Sequence, residues 1–454
     1  MENIDPYILI IICSSTIILS YFYNLYSKKS GIPSVLLLII TGLLIQFGFL
    51  LSGEVIEKKD FDVALKFLGI VGLALIVLEA ALDLRLIKEK TVVIIKSFSV
   101  ATIGLIATSY ISALFLVLVY SKTGDVKLEL VEALLFTVPI SILSSAIILP
   151  SIEPLDEDRR EFMIYESTFS DILGIVLFYS LTRFVGPSSE SEIYGVVFGN
   201  LTFTILFSVL ASYMLIYLFQ NIKGHDKLFF LISILLLLFA VGKLFHLSSL
   251  IIILIFGVIL NNYKLFFSGG LSKLIDEEKV ANILSDFKVV TGESAFVVRT
   301  FFFILFGVLA SVTSMLSFNA IGIGVVLLLI IYLIRTISLF LFYGKNIFPQ
   351  VFLAPRGLIT ILLFFAIPEE IINKYGFIYD EFNGVLLFII LASCLIMTWS
   401  LIKYKKNIDV ANLEDAAEDS DLIDQEIEGA PDMNDQETNN ASDSLDQEID
   451  EDMV

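Results

Sequence analysis

Two carboxylates and two hydroxyls lie close together in YESTFSDILGIVLF, a segment otherwise apolar enough to cross a membrane: Glu166, Ser167, Ser170 and Asp171. On a helix with about 100° per residue, these four side chains fall within an arc of roughly 140°, and Phe169 lies outside it. Placing an ionisable carboxyl at bilayer depth costs at least about 2.5 kcal/mol, so such residues usually line a cavity and handle ions or protons. The segment therefore predicts a transport site on one face of a membrane-spanning helix.

A buried arginine limits what the two acids can do. Arg335 lies in VVLLLIIYLIRTISLFLFY, far from both ends of its apolar segment, so it needs an internal counter-ion. Glu166 and Asp171 are both available as that partner. Because stranding one member of a buried pair costs about 3–5 kcal/mol, we expect one acid to pair with Arg335 and the other to stay free.

The free carboxylate could bind a cation. The hydroxyls of Ser170 and Ser167, with Ser144 or Ser145 from another apolar segment, would complete an all-oxygen shell of the kind that hard cations prefer. The same carboxyl can bind a proton instead, because burial disfavours its charged form. Competition of cation and proton for one alternately exposed acid is antiport.

The composition is that of a polytopic membrane protein with an acidic tail. Of 454 residues, 57% are hydrophobic and 17% are charged, with a mean hydropathy of +0.89; soluble domains carry about 25% charged residues. Of the net charge of -20, residues 407–454 contribute -18 and the rest of the chain -2. Low hydrophobicity with high net charge predicts disorder. We therefore divide the chain into a transmembrane domain, 1–406, and a disordered cytoplasmic tail, 407–454.

The apolar runs predict an all-α fold with about 13 transmembrane helices, since thirteen runs approach the ~20 residues that a bilayer requires. An odd number places the termini on opposite sides. With the tail inside, the inner loops hold about twice as many Lys and Arg as the outer loops, as the positive-inside rule requires. We expect a multi-pass protein of the cell (inner) membrane. Residues 264–291 predict an amphipathic helix along the inner interface. The runs are 7–26, 33–52, 63–83, 92–120, 130–151, 161–185, 192–221, 227–244, 248–266, 292–316, 319–343, 349–367 and 381–403.

Two runs at matching places in the two halves are poor continuous helices. The fifth, ALLFTVPISILSSAIILPSI, contains Pro139 ahead of two serines, and the twelfth, VFLAPRGLITILLFFAIP, contains Pro355, Arg356 and Gly357 in its first half. Discontinuous helices at corresponding positions indicate an inverted-repeat transporter, in which half-helix ends face the substrate near the bilayer midplane. Ordinary proline kinks are the alternative.

With these motifs together, the chain resembles the cation/proton antiporter superfamily, in particular its sodium/proton exchanger (NhaP-like) branch. ESTFSD is similar to the family's E-S-x-x-N-D motif on the sixth helix, with serine at the asparagine position. LIVLEAALDLRL is similar to F-E-x-G-L-x-x-x-L on the third helix, and APRG to G-L-R-G on the twelfth. The resemblance spans nearly the whole membrane region.

The resemblance implies a role for each matching residue. Asp171 would bind proton and cation in turn, and Ser170 would take the place of the helper asparagine. Ser167 would lend its hydroxyl, and Glu166 would form a structural salt bridge with Arg335. It also implies a homodimer with a dimer domain and a mobile six-helix core that moves by an elevator-like shift.

Further implications concern the two broken helices and the stoichiometry. Arg356 would sit beside their crossing, whereas LSSAII replaces the family's T-D-P, which removes an acid from the broken-helix ends. A single aspartate implies electroneutral one-for-one exchange, because relatives with a second adjacent aspartate are electrogenic. We expect the protein to exchange sodium, or lithium or potassium, for protons and so to serve sodium transport and pH homeostasis.

Other readings stay open beside antiport. The acids and the arginine could only hold helices together, or the polar face could line a regulated cation channel or potassium efflux pathway gated through the acidic tail. A non-transporting sensor is a third possibility. An intramembrane hydrolase is disfavoured by the residues available. Cys13 and Cys394 form neither a disulfide framework nor a metal signature. We expect no enzymatic activity, no cofactor and no nucleic-acid partner.

Overall fold

Helices make up the regular secondary structure throughout the part of the chain that the computed structural model describes, which is residues 5–52, 58–123, 128–184, 190–221, 227–244, 249–310 and 312–428. In chain order, the first eight helices are α1 Pro6–Ser30, α2 Ser34–Ser52, α3 Lys58–Asp83, α4 Thr91–Thr123, α5 Leu130–Ser141, α6 Ser145–Ser151, α7 Glu157–Leu181 and α8 Glu190–Phe219. The others are α9 Lys227–Leu244, α10 Ser249–Asn261, α11 Tyr263–Phe266, α12 Glu277–Leu309, α13 Val312–Met315, α14 Phe318–Phe342, α15 Leu358–Phe365, α16 Glu369–Lys374 and α17 Gly376–Glu428.

The predicted all-α membrane fold is confirmed. Within the described ranges, nine helical stretches are long and apolar enough to cross a membrane, and two shorter apolar helices lie at Phe230–Gly242 and Ser249–Asn261. Each of the thirteen predicted runs coincides with one helix or with a broken pair of helices.

Both runs predicted to be discontinuous are broken. The fifth run divides into α5 and α6, with residues 142–144 between them. In the twelfth run only α15 is helical, and residues 353–357 before it have no regular structure. Ala354 precedes Pro355, and the proline ring disfavours the helical conformation at the residue before it. Pro139 lies inside α5, two residues before its end, rather than at the break.

The connection at 264–291, predicted as a separate interfacial helix, is instead partly continuous with the next membrane helix. Residues 277–291 form the beginning of α12, which continues through the next apolar run and is about 50 Å long at 1.5 Å per residue. Asp276 caps it, since its side chain accepts a hydrogen bond from the Lys279 amide. The stretch from 277 to 309 has no proline, so nothing in it forces the helix to stop.

Helix α7 is held among α4, α5, α6 and α15. Its apolar side belongs to a buried cluster that includes Leu84, Ala101, Tyr165 and Phe169. The ring of Phe98 on α4 meets Phe169 edge-on, with 5.3 Å between the centroids. Because this face is fixed against apolar neighbours, the polar face of α7 points at the two broken helices.

The chain divides into two units, residues 1–402 and 403–454. Helix α17 extends to Glu428, and residues 429–454 lie outside the described part. The Ala, Leu and Glu residues of 407–428 favour a helix. The assignment of two domains and the disorder of the tail stay predictions.

Candidate functional site

The four polar residues of α7 are all buried: Glu166, Ser167, Ser170 and Asp171 are each at most 2% exposed. Helix α7 is capped at its N-terminus by Asp156, whose side chain accepts a hydrogen bond from the Arg159 amide. A buried polar side chain must find partners within the protein. The partners of Glu166 and Asp171 decide which of the two carboxyl groups remains available to bind an ion or a proton.

Glu166 pairs with Arg335. Arg335 Nη1 lies 2.6 Å from Glu166 Oε1, and Nη2 lies 3.1 Å from Oε2, a two-pronged contact that joins α7 to α14. The guanidinium also donates to the backbone carbonyl of Gln350, from Nε at 3.1 Å and from Nη2 at 2.8 Å. Both carboxylate oxygens of Glu166 are therefore used by Arg335.

Asp171 is placed differently. Its Oδ2 accepts a hydrogen bond of 3.2 Å from the Ser145 amide, and its Oδ1 has no hydrogen-bond partner in the described residues. The neighbouring Ser170 Oγ accepts a hydrogen bond of 3.0 Å from the Leu143 amide. These amides lie at the beginning of α6, where a helix carries unpaired N–H groups and a partial positive charge. Asp171 thus faces a half-helix N-terminus with one oxygen unoccupied by protein groups.

The two broken helices cross beside this point. The Ser144 amide donates to the carbonyl of Pro355 with 3.0 Å between nitrogen and oxygen. A Cβ built on Gly357 would lie 2.4 Å from Ser144 Oγ and 2.8 Å from Ile147 Cδ1. The crossing is therefore close enough to require glycine at position 357.

Arg356 caps the other half-helix. Its Nε donates to the carbonyl of Ile140 at 2.6 Å, its Nη1 donates to that of Ala354 at 2.6 Å, and the side chain is buried. The backbone amide of Arg356 is bound by Ser393 Oγ at 3.0 Å. Ile140 lies in the last turn of α5, whose carbonyl end carries partial negative charge. At this crossing the carboxylate of Asp171 faces the positive end of α6, and Arg356 faces the negative end of α5.

Not every predicted hydroxyl points at Asp171. Ser167 Oγ donates to the carbonyl of Met163 in its own helix, at 2.8 Å. Ser144 contributes its backbone amide to the crossing, whereas both the amide and the hydroxyl of Ser145 face the Asp171 carboxyl. The structure brings Asp171 together with the beginning of α6, and it brings Glu166 together with Arg335.

A cavity lies between α4, α5, α7 and α14, close to the Glu166–Arg335 pair and to the crossing of the broken helices. Glu166, Ser170, Arg335 and Arg356 supply most of its charged and polar lining. Asp171 is not among the lining residues. The cavity is completed by Val100, Ala101, Gly104, Leu105, Thr108, Ser141, Leu143, Ile331 and Ser338.

A second ion pair was missed by sequence reasoning. Arg299 on α12 contacts Glu79 on α3, with Nη1 2.6 Å from Oε2 and Nη2 3.2 Å from Oε1. Both side chains are about one-fifth exposed. A usable signal is that both residues are charged side chains within apolar runs, 63–83 and 292–316, where each needs a counter-ion.

The charge content of the site suits a monovalent ion. Across the described ranges, no group of three or more His, Cys, Asp and Glu residues is placed to hold a metal ion. Within the part of the chain that the structure describes, Asp171 accepts a hydrogen bond from the Ser145 amide and forms no salt bridge. Divalent cations in proteins usually draw on several carboxylates, whereas one carboxylate balances one positive charge.

A bundle of membrane helices in which two broken helices cross beside a buried carboxylate defines the class of inverted-repeat secondary transporters. The sequence model of the family "sodium/hydrogen exchanger, transmembrane" matches residues 14–403, and the chain belongs to this family. The resemblance read from the sequence is thereby confirmed.

The fold is similar to solved antiporter structures. One is the sodium proton antiporter MjNhaP1 from Methanocaldococcus jannaschii at pH 8, with a TM-score of 0.65 and 19% identity over 87% of this chain and 100% of that chain. An electron-microscopy structure of the same antiporter gives a TM-score of 0.65 and 18% identity over 90% and 98%. No curated protein matches the sequence.

Proposed function

We propose that the protein exchanges a monovalent cation, with sodium as the expected ion, for a proton at Asp171. This proposal rests on one observation, which is that the two acids of α7 have different partners. The charge of Glu166 is offset by Arg335 at 2.6 Å, while Asp171 Oδ1 has no hydrogen-bond partner among the residues that the structure describes. One available carboxylate binds one cation or one proton, so the two compete.

This arrangement accounts for coupling and for stoichiometry. In the proposed cycle Asp171 carries either ion across by alternating access, and the two loaded forms have the same net charge. One-for-one exchange is then electroneutral. The charges around Asp171 support this balance, because Arg335 offsets Glu166, which leaves Asp171 as the acid of α7 available for loading.

The surrounding assembly follows from the same proposal. The protein would work as a homodimer in the lipid bilayer of the cell (inner) membrane with its acidic tail on the cytoplasmic side, and its core would shift like an elevator. The family assignment and the excess of Lys and Arg in the inner loops support this orientation.

The test is proton movement in proteoliposomes with an imposed pH gradient. Sodium, lithium or potassium is added in turn to the native protein, to Asp171→Asn, and to the matched control Asp158→Asn, which changes an exposed aspartate in the first turn of the same helix. We expect cation addition to dissipate the gradient in the native protein and the control, and Asp171→Asn to be silent. Rates should not change when the membrane potential is clamped.

Two results would contradict the proposal. If labelled cation crosses while the pH gradient has no effect on its flux, the protein is a cation channel. If Asp171→Asn exchanges as fast as the native protein, the site is elsewhere.

A further inference from the structure

A second unpartnered oxygen lies beside Asp171 on α7, the hydroxyl of Thr168. Its side chain is 0% exposed, and its Oγ1, like Asp171 Oδ1, has no hydrogen-bond partner in the described ranges. A buried polar atom without a partner costs about 1–3 kcal/mol. Native proteins keep few of them, so two on neighbouring positions of one helix call for an explanation.

Hydroxyls within these helices usually donate to the carbonyl four residues earlier. Ser167, directly before Thr168, does so at 2.8 Å. Ser180, further along α7, does so at 2.7 Å, and Thr137 in α5 does so at 3.2 Å. Thr168 makes no such bond, so the lone pairs and the proton of its hydroxyl are not used by its own helix.

The geometry of a helix places the two free oxygens on one side of α7. Residues three positions apart lie within about 60° around the axis, with their Cβ atoms about 5–6 Å apart. Oδ2 of Asp171 is held by the Ser145 amide at 3.2 Å, which leaves Oδ1 as the oxygen without a protein donor. The Thr168 hydroxyl lies beyond Asp171 on the helix surface, on the side away from Glu166.

We propose that Thr168 is a further ligand of the transported cation and a determinant of its selectivity, an inference that rests on the proposed function. With a cation on Asp171, a lone pair of Thr168 Oγ1 completes part of its oxygen shell. With a proton on Asp171, the carboxyl O–H donates to the same Oγ1. The Thr168 hydroxyl can therefore bind to both the cation-bound and the protonated form of Asp171. A side chain of equal shape without the oxygen binds to neither form.

The test compares three variants of the full-length protein in proteoliposomes. Thr168→Val keeps the shape and removes the oxygen, and Thr168→Ser keeps the oxygen. Ser400→Ala is the matched control, because Ser400 Oγ is also buried without a partner but lies on α17. The cation concentration for half-maximal exchange is measured for sodium, lithium and potassium, together with the rise in thermal unfolding midpoint that each cation produces in the purified protein.

We expect Thr168→Val to raise the half-maximal sodium concentration by about tenfold or more, the loss of one contact to a charged group. It should also alter the ranking of the three cations and reduce the stabilisation by sodium. Thr168→Ser and Ser400→Ala should stay close to the native protein. If valine does not yield folded protein, Thr168→Ala carries the same expectation.

Different outcomes separate this inference from the proposed function. If the native protein couples cations to protons and Thr168→Val leaves the cation dependence and ranking unchanged, the inference is overturned and the proposed function stands. A lower maximal rate without a change in cation dependence would assign Thr168 to packing and overturn it likewise. If the native protein shows no coupling, both fail together.

Discussion

Replacing Arg335 should lower the free energy of unfolding, because it leaves the buried Glu166 carboxylate without its partner. Glu166 and Arg335 are 1% and 6% exposed, and the guanidinium contacts both carboxylate oxygens and the Gln350 carbonyl. Arg335→Met leaves the Glu166 carboxylate buried and unpaired, so we expect the free energy of unfolding to fall by about 3–5 kcal/mol. Glu166→Gln leaves Arg335 as a buried cation, but the glutamine amide oxygen and the Gln350 carbonyl can still accept hydrogen bonds from its guanidinium. Its cost should therefore be smaller, about 1.5–3 kcal/mol.

The double variant tests whether the two residues act as a pair. In Glu166→Gln/Arg335→Met no uncompensated charge is left, so its cost should be less than the sum of the single costs by about 1–3 kcal/mol. The free energy of unfolding is measured by denaturant titration of the purified protein in detergent. Arg85→Met, which changes an exposed arginine, is the control and should cost less than about 0.5 kcal/mol. If the single costs simply add, the reasoning about this pair is refuted.

Three further perturbations probe the crossing of the broken helices and the ion pair of Glu132 with Lys374. Gly357→Ala should reduce thermal stability and exchange, since its Cβ would lie 2.4 Å from Ser144 Oγ, and Ser144→Gly should restore part of the loss; full activity of Gly357→Ala would contradict the close crossing. Arg356→Met should cost about 1–3 kcal/mol for each carbonyl left without a donor, and a denaturant titration that shows no loss would exclude the capping role. The Glu132 carboxylate, which accepts a 2.7 Å hydrogen bond from Lys374, holds the pKa of that ammonium above its usual range. The resulting stabilisation is complete below the ordinary lysine pKa of about 10.4 and is lost as pH rises through the raised pKa. The thermal unfolding midpoint of the native protein should therefore fall above about pH 10, and Lys374→Met should make that fall smaller. An equal fall in both proteins would refute this role of the ion pair.

The membrane class, the positions of the helices and the face of α7 that carries the site could all be predicted from the sequence. Hydropathy and helical periodicity are local properties of the sequence. In a bilayer they determine the secondary structure, because a spanning segment must form all of its backbone hydrogen bonds internally. The break before α15 was also readable, since Pro355 and Gly357 act on the backbone where they occur. The break at 142–144 contains neither residue type and begins three positions after Pro139. The misplaced beginning of α12 reflects a polar stretch that continues a helix beyond the apolar run.

Partner choice was decided by the tertiary structure. The residue types alone offered Glu166 and Asp171 equally to Arg335, and the family resemblance favoured Glu166. The structure pairs Arg335 with Glu166 through a 2.6 Å contact between α14 and α7. Arg299 has its partner 220 positions away in the chain, on α3. Arg356 is satisfied by carbonyls that become available where α5 ends. Each of these contacts depends on distances between distant segments, which residue types and spacing along the chain do not contain.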